Sequence, residues 1–155
     1  MSSRRIGLIA DTHGLLRPEA VQALQGSDLI IHAGDIGTAA VLQALRALAP
    51  VTAVRGNIDK GAWAQALPAS AALQIAGVGI YVLHDLQALD LVPEAAGLRV
   101  VVSGHSHRPS VQERNGVLYV NPGSAGPRRL RLPVGVALLA VQEQAVELSL
   151  VSLVP

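Results

Sequence analysis

The side chains of this sequence that could do chemistry are aspartate, asparagine and histidine residues that directly follow short apolar segments. There are seven of them: Asp11, His13, Asp35, Asn57, His84, His105 and His107. Three offer oxygen donors and four offer imidazole nitrogens. A single metal ion rarely takes so many mixed protein ligands, whereas two ions that share a bridging carboxylate do so readily. The pattern therefore predicts a site for two divalent metal ions.

Each of these motifs also has an ordinary structural interpretation when it is taken alone. Gly34-Asp35 is a common strand-to-helix turn, and Gly56-Asn57 is typical of a loop. A single histidine after an apolar strand, such as His84, is more often a buried structural residue. The joint pattern favours function, because four of the five histidines in the chain follow predicted strands.

The elements that must position these residues alternate between strand and helix in the first half of the chain. We predict strands at Ile6–Ala10, Leu29–Ala33 and Val51–Arg55, with one helix at Pro18–Gln25 and a second that Thr38 caps and that runs to Leu48. This alternation predicts βαβ units and a parallel sheet.

The second half of the chain predicts a change to antiparallel pairing. The predicted strands are Ala72–Ile75, Gly79–Leu83, Arg99–Val102, Val111–Arg114, Val117–Val120, Val134–Val141 and Val146–Leu153, and a short helical or irregular piece covers Leu86–Ala96. Asn115-Gly116 predicts a two-residue hairpin. The elements together predict one α/β domain, 1–155, whose sheet begins parallel and finishes antiparallel. If its strands are neighbours, the seven residues converge on one crevice at their carboxyl ends.

Composition excludes several classes of protein. The chain has 155 residues, 50% of them hydrophobic, and a mean hydropathy of +0.42, so it is long and apolar enough to bury a core. It has no cysteine, which excludes disulfides and thiolate metal sites. No apolar run reaches the length of a membrane span, and the N-terminal apolar stretch is too short for a secretory signal, so we expect no membrane association and a cytoplasmic location. A net charge of +1 and 2% aromatics give no strong nucleic-acid signal. The apolar composition also favours a homo-oligomer.

Five motifs, in order, resemble those of the calcineurin-like metallophosphoesterases. They are Asp11-x-His13, Gly34-Asp35, Gly56-Asn57, His84 and Gly104-His105-x-His107. The match runs from residue 7 to about residue 107. The short length and the segment Asn121-Pro122-Gly123-Ser124 resemble the compact bacterial and archaeal phosphodiesterase branch of that family.

The resemblance implies a four-layer αββα sandwich, in which two mixed β-sheets are flanked by helices, and a dinuclear metal centre. One metal is implied to be held by Asp11, His13, Asp35 and His107, and the other by Asp35, Asn57, His84 and His105. Asp35 then bridges the two ions, and Asp35, Asn57 and His84 are the expected catalytic residues. The implied reaction is hydrolysis of a phosphoester, most simply a diester, by in-line attack of a hydroxide that bridges the metals. We expect Mn(II), with Ni, Co, Fe or Zn as alternatives, and a small, nucleotide-like phosphoester substrate.

The sequence departs from the family pattern at two positions. Many members have a histidine directly after the Gly-Asn pair, where it assists the leaving group, and this chain has Ile58 there. A glycine commonly follows the ligand histidine at the position of Asp85. The missing histidine leaves no obvious general acid, which costs about 10²–10⁴ in rate on poor leaving groups.

Several further side chains are candidates for supporting a ligand or contacting a phosphate group. They are His32, Asp59, Asp85, Arg108, Arg128 and Arg129. Arg131 belongs to the same basic loop as Arg128 and Arg129. Three alternatives to a phosphodiesterase remain at this point: a phosphomonoesterase with the same site, a non-catalytic interaction module of the same fold, and a DNA repair nuclease of the same superfamily. The complete ligand set argues against the interaction module, and the near-neutral charge argues against the nuclease.

Overall fold

Ten strands form two five-stranded sheets in the computed structural model, which describes residues 3–154. The strands are β1 (Arg4–Ile9), β2 (Leu29–His32), β3 (Val51–Ala53), β4 (Ser70–Ile75), β5 (Val78–Leu83), β6 (Leu98–Val102), β7 (Ser110–Arg114), β8 (Val117–Asn121), β9 (Gly135–Gln142) and β10 (Ala145–Ser152). Their order is β10-β9-β1-β2-β3 in the first sheet and β4-β5-β6-β8-β7 in the second. All ten predicted strands are therefore present, with ends shifted by one or two residues.

The single sheet expected from the strand pattern is wrong, and the two mixed sheets implied by the family resemblance are confirmed. In the first sheet β1, β2 and β3 are parallel, while β9 and β10 are antiparallel to their neighbours. In the second sheet β5, β6 and β8 are parallel, while β4 and β7 pair antiparallel at its edges. Strand periodicity cannot distinguish these arrangements, because it reports burial of a face and not which strand lies alongside.

The core lies between the two sheets and consists largely of β-branched residues. Ile6 and Leu8 of β1 face Ile80 of β5 and Val100 of β6, and all four side chains are fully buried. Because one face of each sheet packs on the other, alternate residues of both sheets are removed from water together. This shared apolar layer fixes the two sheets relative to each other.

Helices cover the outer face of the first sheet. These are α1 (Pro18–Leu24), α2 (Ala39–Arg46) and α3 (Ala62–Gln65), and they pack on Ile9, Ile30 and Val136. Thr38 precedes α2 as predicted, but its side chain makes no capping hydrogen bond. No helix within residues 3–154 is both long and apolar enough to cross a membrane.

The outer face of the second sheet has a thinner cover. Leu86 of the 3-10 turn Leu86–Ala88 and the following Leu89 pack with Leu83 and Val101. The predicted hairpin between β7 and β8 is present. Asn115 and Gly116 both have positive φ, 52° and 78°, as a type I′ turn requires.

A matched pair of substitutions tests the core between the sheets. Val100→Ala removes two methyl groups from a fully buried position and should lower the free energy of unfolding by about 2 kcal/mol. Val92 is 57% exposed, so Val92→Ala should change it by less than about 0.5 kcal/mol. Urea denaturation of both variants checks this, and equal losses would contradict the assigned core.

Candidate metal centre

The carboxyl ends of the parallel strands of both sheets meet at one end of the sandwich. Asp11 and Asp35 lie beyond β1 and β2 of the first sheet, and His84 and His105 lie beyond β5 and β6 of the second. Hydrogen bonds join the two groups: His84 Nδ1 lies 2.8 Å from the Ala33 carbonyl, and the His105 N–H donates to Asp11 Oδ2 at 3.1 Å. The predicted convergence therefore occurs, but across two stacked sheets.

Two glycines let these strand ends approach one another. A Cβ at Gly56 would overlap the backbone nitrogen and Oδ1 of Asp35, and a Cβ at Gly104 would lie 2.8 Å from Asp11 Oδ2. Any larger residue would have to displace a carboxylate. Gly56 and Gly104 are thus required by their contacts with the two aspartates.

Five of the seven candidate ligands have left-handed backbone conformations. The φ angles are 56° at Asp11, 48° at His13, 57° at Asp35, 71° at His105 and 62° at His107. Such angles are uncommon for residues other than glycine and cost energy that the surrounding structure must offset. Their concentration at one end of the molecule marks this region as one that is held in shape for a function.

Each aspartate uses one oxygen for a backbone hydrogen bond and presents the other to imidazoles. Asp11 Oδ2 accepts from His105, which leaves Oδ1 at 3.6 Å from His107 Nε2 and 3.9 Å from His13 Nε2. Asp35 Oδ1 accepts the Ile58 N–H at 3.1 Å. Its Oδ2 lies 3.6 Å from His13 Nε2 and 3.2 Å from His84 Nε2. Asp35 therefore lies between the predicted ligands of the first metal and those of the second.

Several buried polar atoms here lack any hydrogen-bond partner, namely Asp11 Oδ1, His13 Nε2, His84 Nε2 and His107 Nδ1. Buried polar atoms in proteins are almost always paired, so a group of unpaired lone pairs requires an explanation. His84 indicates what kind of group would pair with these atoms. Its Nδ1 donates to Ala33, so the neutral ring has a lone pair on Nε2, directed toward a carboxylate. Divalent cations fit this donor set, because each would accept lone pairs that otherwise face one another.

Two groupings of side chains have donor atoms close enough to share an ion. One comprises Asp11, His13 and His107, and the other comprises Asp11, Asp35 and His84. Asn57 and His105 lie at the side of the second grouping. Asn57 lines a groove with His84, and the His105 ring lies 5.2 Å from the His84 ring, centroid to centroid. The structure therefore brings five of the seven predicted ligands into these groupings and places Asn57 and His105 beside them.

The two carboxyl groups have opposite electrostatic environments. Burial raises the pKa of Asp11 to about 7, although the nearby His84 ring opposes this. Burial alone would also raise the pKa of Asp35, but the His84 ring and the Ile58 N–H outweigh it and lower the pKa to about 2. Asp35 is thus ionised at neutral pH without a metal ion, whereas Asp11 needs a cation to favour its charged form.

The pKa values of two histidines at the site, His84 and His107, are also shifted in opposite directions. Burial lowers the pKa of His107 to about 4, and the positive charge of Arg129 contributes. Burial opposes protonation of His84, but the carboxylate of Asp35 and the Ala33 carbonyl raise its pKa above the ordinary value. Without an ion, the protonated His84 ring would therefore neutralise Asp35. A metal ion would replace that proton.

The loops that bear the ligands are tied together by side chains outside the ligand set. Asp59 is buried and accepts the N–H groups of Gly37 and Gly56 at 2.9 and 2.8 Å, so it joins the loops after β2 and β3 rather than capping α3. Asp85 Oδ1 caps the 3-10 turn through the Gln87 N–H, and its Oδ2 lies 3.9 Å from His105 Nε2.

Two supporting residues were not identified as such from the sequence. Asn121 donates to the Gly104 carbonyl at 2.9 Å and to Ser106 Oγ at 3.1 Å, which holds the loop that carries His105 and His107. Its position in the Asn-Pro-Gly-Ser segment was the available signal. Thr12 gave no signal, because its role depends on a partner from another strand.

That partner is His32, which is fully buried and forms a chain of hydrogen bonds. The Gly34 N–H donates to His32 Nδ1 at 3.0 Å, so the neutral ring carries its proton on Nε2, which lies 3.0 Å from Thr12 Oγ1. Thr12 in turn donates to the Ile36 carbonyl at 2.8 Å. Both ring nitrogens are therefore occupied, and His32 connects Gly34, which precedes Asp35, to Thr12, which follows Asp11.

The candidate arginines lie on the His107 side of the site. Arg108 follows His107 and lines an open groove. Arg129 lies close enough for its charge to lower the pKa of both Asp11 and His107. Arg128 is directed back to its own loop, where Nε donates to the Leu132 carbonyl at 3.3 Å.

The environment of His32 predicts a specific pH dependence of stability. Burial lowers its pKa to about 3, from an ordinary value of about 6.5. The unfolded chain therefore binds more protons than the folded chain between pH 3 and 6.5, and stability falls as the pH falls through this window. From pH 8 to pH 5 the loss from His32 should be about 2 kcal/mol.

Urea denaturation of chelator-treated protein tests this. His32→Asn keeps an acceptor for Gly34 but cannot titrate, so its stability should fall by about 2 kcal/mol less than that of the wild type between pH 8 and pH 5. Thr12→Val is the control, because it breaks the same hydrogen-bond chain and keeps the histidine. If Thr12→Val lost the pH dependence and His32→Asn kept it, the assignment would be wrong.

Comparisons with known proteins agree with this geometry. Residues 5–144 match the family model of the calcineurin-like phosphoesterase superfamily domain. A probable metallophosphoesterase of Methanothermobacter thermautotrophicus is 36% identical over 140 residues, which cover 83% of this chain and 81% of that protein.

Solved structures show the same fold. Vps29 of Chaetomium thermophilum has a TM-score of 0.80 at 22% identity, covering 94% of this chain and 86% of that one. A structure described as a novel archaeal phosphodiesterase has a TM-score of 0.78 at 22% identity, covering 95% and 99%. The family match over most of the chain, together with the relative above 30% identity, establishes that this protein belongs to the calcineurin-like phosphoesterase superfamily.

Proposed function

We propose that this protein is a metal-dependent phosphodiesterase with a dinuclear centre, and that Mn(II) supports its activity. One ion would be held by Asp11, His13, Asp35 and His107, and the other by Asp35, Asn57, His84 and His105. The observation that carries the proposal is the position of Asp35 Oδ2, which lies within 3.6 Å of an imidazole nitrogen from each of the two ligand sets. A mixed set of oxygen and imidazole donors without thiolate suits Mn and its neighbours.

The shape of the surface supports a diester over a monoester. One groove, of about 300 Å³, opens on the His84 side and is lined by Asn57 and Tyr81. Another, of about 800 Å³, is lined by Arg108, which directly follows His107 in the chain. A phosphodiester has a substituent on each side of phosphorus, and one groove for each substituent would accommodate both.

The residues of the chain divide the chemical work. When bound, a pair of divalent cations supplies Lewis-acid polarisation of a phosphoryl group and lowers the pKa of water. Asp11 and Asp35 fix the donor oxygens, because a backbone N–H holds the second oxygen of each carboxylate. Ile58 offers no proton, so this position supplies no acid to the leaving group. This favours substrates whose leaving group is a stable anion.

Asp35→Asn tests the bridging role. An amide at this position weakens both proposed ions at once, so hydrolysis of bis-p-nitrophenyl phosphate with Mn(II) should fall by more than the roughly 10–100-fold typical of losing a supporting residue. Calorimetric titration with Mn(II) should show weaker binding, while the circular dichroism spectrum should be retained. Asp28→Asn, remote from the site, is the matched control and should keep the wild-type rate. Full activity of Asp35→Asn would contradict the bridging assignment. A parallel assay with p-nitrophenyl phosphate tests whether the protein is a phosphomonoesterase instead.

Ile58→His tests the missing general acid. The Ile58 side chain is 42% exposed, so there is room for an imidazole. Its addition should raise the rate on diphenyl phosphate, whose phenolate is a poor leaving group, by up to about 10²–10⁴. It should change the rate on bis-p-nitrophenyl phosphate much less. Ile58→Gln adds polarity without an acid and should have no such effect. If Ile58→His lowered every rate, the interpretation that position 58 lacks a general acid would be wrong.

A further inference from the structure

Four arginines lie in two segments that adjoin residues of the candidate metal centre, one directly after His107 and the other in the loop after Ser124, and none of them is paired with a carboxylate in the part of the chain that the structure describes. They are Arg108, Arg128, Arg129 and Arg131, and the ion pairs among residues 3–154 all involve histidine. The sequence from Arg114 to Gln142 contains no aspartate or glutamate. Unpaired guanidinium groups concentrated on one surface produce a positive field that attracts anions.

Two of these arginines share a groove with two leucines. Arg108, Leu130, Arg131 and Leu132 line a volume of about 800 Å³. Arg128 donates Nε to its own loop and Arg129 does not line the groove, so Arg108 and Arg131 supply its charge. The groove is thus cationic and apolar together, a combination that suits an organic anion better than an inorganic ion.

Leu130 is the most unusual residue of this groove. It is 92% exposed, and its φ is 53°, in the left-handed region. An exposed leucine gains nothing from burial, and it has no polar side chain to bond locally and offset that conformation. A ligand that covers Leu130 would supply the missing apolar contact.

The position of the groove relates it to the proposed reaction. Arg108 is adjacent in the chain to His107, which is buried in the metal centre. The loop that precedes Leu130 packs on the first strand end, where Ser124 Oγ donates to the Asp11 carbonyl at 3.1 Å. Asp11 and Asp35 do not line the groove, so an anion bound there is a different group from the phosphoryl group between the carboxylates.

We propose that this groove binds a second phosphate group of the substrate, so that the preferred substrate is a small nucleotide-like phosphodiester that carries a further phosphate on one substituent. Arg108 and Arg131 contact that phosphate, and Leu130 and Leu132 contact the apolar part of the same substituent. The inference rests on the proposed function, because it assigns the direction in which the diester lies across the metal centre.

A matched pair of substrates tests the groove. Thymidine 5′-(p-nitrophenyl phosphate) and its 3′-phosphorylated form have the same scissile bond and the same leaving group. With Mn(II), the wild type should have a kcat/KM about 10–100-fold higher for the 3′-phosphorylated form, mainly through KM, as expected for a charge-assisted contact. Arg131→Gln should remove most of this ratio. Arg46→Gln, on the exposed end of α2, should retain it. Equal values for the two substrates, or an unchanged ratio in Arg131→Gln, would overturn the proposal.

A binding measurement separates this inference from the proposed function. Thymidine 3′,5′-bisphosphate should bind the wild-type protein about 10–100-fold more tightly than thymidine 5′-monophosphate in calorimetric titrations, and Arg131→Gln should lose that difference. If neither ester is hydrolysed but this difference is present, the groove is correct and the phosphodiesterase assignment fails. If both esters are hydrolysed but the two nucleotides bind equally, the phosphodiesterase assignment holds and the groove is wrong.

Discussion

The structure depends on the burial of two carboxylates at the end of a hydrophobic sandwich. Asp11 is fully buried and Asp35 nearly so, and removing a charged group from water is costly unless it is compensated. Each receives one backbone N–H, and the remaining oxygen of each faces imidazole nitrogens. The left-handed residues, the glycines at the strand ends and the neutral His32 all maintain this arrangement. Strained backbone conformations and unpaired lone pairs are thus concentrated where a cation would bind the lone pairs.

Both sheets are needed to build this arrangement. The first sheet supplies Asp11, His13, Asp35 and Asn57, and the second supplies His84, His105 and His107. The apolar layer of β-branched residues that packs the sheets together sets the distance between these groups. Packing and chemistry are therefore linked, since a shift of one sheet on the other would separate the donors.

Much of the fold could be predicted from the sequence. Strand positions followed from apolar runs and turn residues, and the ligand positions followed because each ligand lies within five residues after the end of a strand. The assignment of strands to two sheets could not be obtained in this way, because β6 pairs with β8 rather than with its neighbour in the chain, β7. The roles of Thr12 and Asn121 were missed for a related reason: each bonds a loop distant in sequence. Thr38 lies at the predicted cap position, but residue type alone does not specify whether its side chain forms the capping hydrogen bond.

The division of the ligands between the sheets has a mechanical consequence. Because the donors come from both layers, bound cations would cross-link two layers that are otherwise joined mainly by non-directional apolar contact. Separating the layers would then require breaking coordination bonds, so bound cations would oppose the opening of this end of the sandwich. The centre would stabilise the packing of the two sheets in addition to supplying chemistry.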